Sequence, residues 1–261
     1  MLSEEQYDSI SFSKLPGFTR SVSRRNYALV TPESHVWAKN PLWVNSTTAH
    51  IISPAVGSNF AMYLARMGPG GKAINPKQGV ERLAVVLDGY VTLMAAHGLE
   101  DDVLLKSGEY VYLPPNITHR IRSAERASLL VFERRCKVEI SDATFFHGSI
   151  EERPLVDVPG EDFKLRKLLP DTTDMDFNVH VMDFLPGEHL NVREVHYNQH
   201  GLLLVSGKGI YRLGDDYMPV KSGDAIWMAP YCPQWFAALG REPARYILYK
   251  DTTIDPLVVD I

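Results

Sequence analysis

Cysteine is scarce in this chain: Cys136 and Cys232 are the two among 261 residues. They fall late in two different repeats, so no bridge is expected, and two thiols suit a reducing compartment. Long apolar runs are missing as well. No stretch reaches the roughly 18 residues of a membrane-spanning helix. The opening MLSEEQYDSISFSK has no basic segment followed by an apolar one, so it does not read as a secretory signal. Charge of one sign is also lacking. The net charge is -5 with both signs interspersed, which leaves no footprint for nucleic acid. The basic stretch Arg20 to Arg25 holds three arginines and reads as a solvated or salt-bridged face. Two sequon matches, at Asn45 and Asn116, are no more than chance allows.

What is present is strand after strand. Residues 1 to about 55 read as an extended arm of short strands and turns, broken by Pro and Gly. His35 and His50 lie there as surface or packing residues. From Asn59, segments such as FAMYLARM, ERLAVVLDGYVTLMAA, DVLLKSGEYVYLPP, THRIRSA and ASLLVFERR alternate or run apolar between Gly, Pro and Asp turns, and no amphipathic helix interrupts them. EERPLVDVPGED has the composition of a connector, and FKLRKLLP fits a short strand or a helical turn. The plan then repeats. FNVHVMDFLPG matches FAMYLARMGPG, HGLLLVSGKGIYRL matches ERLAVVLDGYVTLM, MPVKSGDAIWMAPYCPQWF matches DVLLKSGEYVYLPPNITHR, and RYILYKD matches SLLVFERR. The expected fold is all-β: two tandem jelly-roll barrels behind an N-terminal arm, with residues 1–150 forming the first unit and 151–261 the second.

Chemistry concentrates in GEHLNVREVHYNQHGLLLVSG, residues 187–207. Glu194 and His196 are two apart, and on a strand would share a face. His200 follows at another even spacing. One carboxylate and two imidazoles on one face make a set that suits a first-row divalent metal. His180 and His189 share no such spacing and are left out of the site; His97 and His147 are expected in loops.

These residues carry a resemblance. Cupins show G-(x)5-H-x-H-(x)3-4-E-(x)6-G followed by G-(x)5-P-x-G-(x)2-H. Glu194-x-His196-(x)3-His200-(x)6-Gly207 resembles the first motif with Glu and His exchanged. Counting from Gly223, Gln234 stands where the second motif has its His, and Pro230 is one place late. The permuted set, with EVHYNQHGLLLVSGKGIYRLGDDYMPVKSGDAIWMAP and RYILYKD, is similar to the (S)-ureidoglycine aminohydrolase family of purine (allantoin) breakdown, plant-type members above all. The resemblance implies a bicupin, two double-stranded β-helix barrels, with Glu194, His196, His200 and Gln234 holding one Mn2+ per subunit in the second. A donor set without a soft ligand favours manganese(II) or iron(II); Cys232, two residues before Gln234, is set aside on that ground. The first half keeps Gly108, Pro114, Asn116 and His119 of the second motif but has no histidine in its first-motif region, where Glu81 alone could contribute. A lone imidazole does not hold a metal, so His119 is expected to be structural.

Tyr246 and Lys250 are four apart on the last strand and can share a face. If that face is the interior, a phenol and an ammonium line the cavity; if it is an edge, Lys250 lies in solvent. The resemblance implies the first arrangement, with both residues holding substrate together with Glu194 and Gln234, and with Glu194 and Lys250 acting in catalysis. Tyr211 is expected as aromatic wall, with Arg212 on the opposite face. The implied reaction is hydrolysis of (S)-ureidoglycine to (S)-ureidoglycolate and ammonia. Two other classes stay open: another cupin metalloenzyme, such as an iron(II) dioxygenase, and a non-enzymatic bicupin. Expected partners are a small-molecule substrate and further copies of the chain, in an assembly as large as an octamer, with no nucleic acid and no membrane. The expected location is cytoplasmic, or the endoplasmic reticulum if a plant targeting segment has been trimmed.

Overall fold

The computed structural model describes residues 16–94, 101–137, 145–172 and 175–252. The opening segment MLSEEQYDSISFSK and His97 lie outside the described residues. The arm and first half give β1 (Val22–Ser23), β2 (Tyr27–Val30), β3 (Ala38–Asn40), β4 (Trp43–Ile52), β5 (Phe60–Ala73), β6 (Val80–Asp88), β7 (Tyr90–Met94), β8 (Val103–Lys106), β9 (Glu109–Leu113), β10 (Arg120–Arg122), β11 (Ala127–Arg135) and β12 (Phe146–Ser149). The second half gives β13 (Leu155–Val156), β14 (Lys164–Lys167), β15 (Phe177–Phe184), β16 (His200–Ser206), β17 (Lys208–Leu213), β18 (Asp216–Lys221), β19 (Ala225–Met228), β20 (Gln234–Leu239) and β21 (Ala244–Asp251). Among the described residues the helical pieces are the single 3-10 turns Pro32–Ser34 and Pro54–Val56. Among the described residues no helix is long and apolar enough to cross a membrane.

In the second half, a large sheet ordered β1-β2-β19-β16-β21-β15-β14-β13 faces a small one ordered β18-β17-β20. The first half follows the same plan, with β12-β9-β6-β11-β5 as the large sheet and β10-β7-β8 as the small one. Its two sheets are joined because the long β5 turns a corner at Gly68-Pro69-Gly70-Gly71, pairing with β11 before it and β10 after it. A Cβ at Gly71 would lie 2.8 Å from the Gly68 carbonyl and the Ser123 hydroxyl, so glycine is required at the corner.

Three apolar cores result. One fills each barrel, and the third lies between the two large sheets. The central strands are buried on both faces, which is why their sequences run nearly continuously apolar. On β16, Leu202 and Leu204 face the second interior while Leu203 faces the seam; on β21, Tyr246 and Leu248 face in, Ile247 and Tyr249 out. That alternation fixes the directions of His200 and Lys250 at the strand ends.

Several of these readings hold, and one changes. The arm is laid onto both halves: β2 pairs with β19 of the second and β4 with β5 of the first. Arg20 of the basic stretch grips buried Asp224 with two hydrogen bonds, of 2.8 and 2.6 Å. FKLRKLLP contains a strand, β14. His147 sits in β12 rather than in a loop, because residues 146–149 pair with β9 along the first sheet's edge.

Candidate metal centre

The spacing of Glu194, His196 and His200 predicts one strand carrying all three. The structure differs: His200 opens β16, while residues 191–199 are irregular. Glu194 is placed instead by reciprocal main-chain hydrogen bonds with Gln234, N to O at 2.9 and 3.0 Å. The His196 carbonyl accepts from Tyr231 N at 2.7 Å. Tyr231 and its first-half counterpart Asn116 have φ of 59° and 67°, at the motif position where glycine is usual. Pairing across to β20, not alternation along one strand, brings the carboxylate to the imidazoles.

The side chains then close on one point. His196 Nε2 lies 3.2 Å from His200 Nε2, 3.0 Å from the Gln234 amide and 3.9 Å from a Glu194 carboxylate oxygen. His200 Nδ1–H donates to the Tyr249 carbonyl at 3.1 Å, which leaves the Nε2 lone pair facing inward. Burial, then His196 and Lys250, hold His200 well below the usual histidine range; burial and Lys250 lower His196. Both imidazoles are therefore neutral at neutral pH. Two nitrogens this close can share either a proton or a cation between them. A half-turn of the Gln234 amide presents its oxygen to the same point, since either orientation fits the side-chain shape. Two nitrogens and two oxygens with no thiolate fit a divalent ion of the manganese or iron kind. Cys232 packs in the second core, where burial pushes its thiol up to about 11.

Lys250 lies directly across from His200 in the β16–β21 pairing. Burial lowers its pKa and Glu194 opposes the fall; burial raises Glu194 and Lys250 opposes the rise. Each is thus the other's counter-charge, and Lys250 is not an edge residue in solvent. Tyr246 is buried two steps further along that face, past Leu248, with Tyr211 in the same core, while Arg212 is partly exposed on the opposite face. One residue set aside on sequence grounds joins them. His180 pairs with Leu248 on β15 and faces the same interior; burial and then Lys250 depress it to about 3. Val179 and Val181 belong to the seam core, which leaves His180 facing the second interior. His189 lies outside this group, tilted against Trp235.

The first barrel shows what stands in for such a centre. Its β6–β11 pairing sets Arg82 opposite Glu133, as β16–β21 sets His200 opposite Lys250. Arg82 is fully buried and donates to Glu133 Oε1 at 2.7 Å, to the Ile74 carbonyl at 2.9 Å and to His119 Nε2 at 3.2 Å. Glu81 points the other way, toward the seam, where its carboxyl accepts from Tyr112 at 2.7 Å. Burial pushes Glu81 up to about 8, so beside Asp176 and Cys136 it is a neutral acid.

His119 makes a measurable prediction. Burial, reinforced by Arg82, holds it at about 4. The unfolded chain takes up the proton first, so this stability is present above the ordinary histidine pKa and is lost as pH falls toward 4. Between about pH 7.5 and pH 5, urea unfolding of the metal-free protein should lose about 2 kcal/mol more in wild type than in His119→Gln, which carries the second barrel's residue at that position.

The chain matches no family model. It is 53% identical over 244 residues to (S)-ureidoglycine aminohydrolase of Arabidopsis thaliana, covering 93% of this chain and 81% of that one. It is 30% identical over 241 residues to the enzyme of the same name in Escherichia coli (strain K12), covering 90% and 91%. The crystal structure of protein Ylba from E. coli superposes with a TM-score of 0.79 at 27% identity, over 93% of this chain and 97% of that one. Oxalate decarboxylase of Bacillus subtilis, at 11% identity and a TM-score of 0.64, covers 87% of this chain and 77% of its own; it shares the fold. Similarity running through both barrels at this level has one meaning: the chain belongs to the (S)-ureidoglycine aminohydrolase family, and is an enzyme of the bicupin fold.

Proposed function

We propose that the second barrel hydrolyses (S)-ureidoglycine to (S)-ureidoglycolate and ammonia, with Mn2+ held by Glu194, His196, His200 and Gln234. The observation that carries this reading is the convergence of those four side chains, with His200 directly across a strand pair from Lys250. When bound, the metal supplies Lewis acidity and lowers the pKa of a coordinated water. The chain's own groups account for the rest. A buried ammonium is costly without an anion, so Lys250 exchanges part of its pairing with Glu194 for the substrate carboxylate. Glu194 keeps one oxygen for the substrate amine, which leaves as ammonia when water adds at the same carbon; that carboxylate is placed to pass the water's proton to the departing nitrogen. Tyr246 and Tyr211 wall the cavity and keep out bulk water.

In this reading the second unit, 151–261, does the chemistry, and the first, 1–150, serves packing and assembly. Self-association belongs to it too: the edge strand β13 exposes Leu155, and open sheets must cover such edges.

The test is ammonia release from freshly made ureidoglycine by manganese-loaded protein, against a chelated control that gives the spontaneous rate. Metal-dependent release with one enantiomer of ureidoglycolate is the expected result. No release above the control would overturn the reading, and oxygen uptake by iron-loaded protein would redirect it to oxygen chemistry at the same residues.

A further inference from the structure

The chemistry above uses nothing from the first barrel, yet the segment carrying the imidazoles is tied to that barrel by buried polar contacts. Their node is Asp251, the neighbour of Lys250 on β21. Its Oδ1 accepts from Arg134 at 2.9 Å and from the Tyr249 hydroxyl at 2.8 Å. Its Oδ2 accepts from Asn59 Nδ2 at 3.1 Å and from the Gln199 amide N–H at 3.2 Å. Its carbonyl accepts from Asn198 Nδ2 at 2.7 Å, and Asn59 N–H donates to Gln199 Oε1 at 3.2 Å. Arg134 also donates to the Tyr249 hydroxyl at 3.0 Å.

Arg134 and Asn59 belong to the first half, on β11 and just before β5. Asn198 and Gln199 immediately precede His200, and the Tyr249 carbonyl sets the His200 tautomer. First-barrel groups therefore grip both flanks of one ligand. Apolar packing joins the same two strands to the first half: Tyr249 of β21 stacks on Phe60 at 3.8 Å, and a Cβ at Gly201 of β16 would meet the Phe60 ring at 2.6 Å. One arginine would suffice to neutralise Asp251. Four donors to its carboxylate, two of them on Asn59 and Gln199, fix its orientation as well as its charge.

We propose that Asn59 and Arg134 are positioning residues for the metal ligands of the second barrel, acting through Asp251 on Asn198, Gln199 and His200. The proposal rests on the metal-centre reading above. Loss of groups that orient a ligand typically weakens metal binding by about 10- to 100-fold.

The test uses the full chain, titrated with Mn2+ and followed through the electron paramagnetic resonance of free and bound ion, well below the unfolding temperature. Asn59→Ala should weaken binding about tenfold and broaden the bound-ion spectrum. Arg134→Gln should weaken it further, and Arg134→Lys should recover part of the loss. Tyr110→Phe removes a seam hydrogen bond to the Leu168 carbonyl, 2.6 Å long and away from the node, and should leave affinity within about twofold. Wild-type affinity and spectrum in Asn59→Ala would overturn the proposal, and so would an equal loss in Tyr110→Phe. If Arg134→Gln fails to fold, Asn59→Ala decides, since that half-buried side chain lies outside the apolar cores. Unchanged binding in Glu194→Ala would instead overturn the metal-centre reading itself.

Discussion

Glu194→Ala is expected to leave a folded protein that neither retains Mn2+ nor releases ammonia, with kcat/KM down by about 1000-fold or more. Glu194 is the single anion in a set otherwise made of two neutral imidazoles and an amide, so its loss removes the main electrostatic attraction for a dication. A second effect compounds the first. Burial already depresses Lys250, and Glu194 is the first group opposing that fall. Without the carboxylate Lys250 titrates lower still, and the anchor for the substrate carboxylate weakens as the metal is lost. Metal content by elemental analysis, measured beside ammonia release, checks both halves. Full activity in the metal-replete variant would remove Glu194 from the assignment.

Lys250→Met should separate binding from chemistry. The side chain is not among the proposed ligands, so the variant should hold Mn2+. It should lose a charge-assisted contact to substrate at a largely buried position, which costs about 3–5 kcal/mol when one partner is removed, or about 150- to 5000-fold in kcat/KM. Most of that belongs in KM if Lys250 anchors the substrate carboxylate, and in kcat if it also acts at the transition state. The variant should lose metal more readily in acid. Lys250 is the group holding Glu194 down against burial, so without it the carboxylate protonates at higher pH and releases the ion sooner. Steady-state kinetics with a metal titration at two pH values reads all three effects. Unchanged KM and kcat together would place Lys250 outside the substrate pocket.

Much of this was legible before any coordinates, and the reasons are local. The repeat shows because turn chemistry repeats: Gly89 and Gly207, like Gly108 and Gly223, hold positive φ at matching places. Strand identity shows because buried central strands must be apolar on both faces. Contacts across long stretches of chain did not show. Nothing local to Glu194 announces that Gln234 will hold it by main-chain pairing. The spacing from Glu194 to His196 suggests a strand that does not form there. His180 was ambiguous because its strand is apolar on both sides, so parity alone could not choose a face. Arg82 was within reach: sliding one repeat onto the other by the Gly89–Gly207 offset sets it under His200. Asp251 was not, since its partners come from Asn59, Arg134 and Gln199, and no periodicity links those positions.

The buried guanidinium of the first barrel has a consequence for how the chain responds to metal supply. Arg82 is a cation delivered by the ribosome and covalently attached, with Glu133 and His119 built around it. Its barrel is complete as soon as it folds, at any metal concentration. Under the proposed function the second barrel instead takes its cation from the medium, so its stability would carry a term that grows with the logarithm of free metal over the dissociation constant. Starvation and repletion would then act on one half of a chain whose two halves share a plan, and the first half would stand as a finished template against which the second waits for its ion.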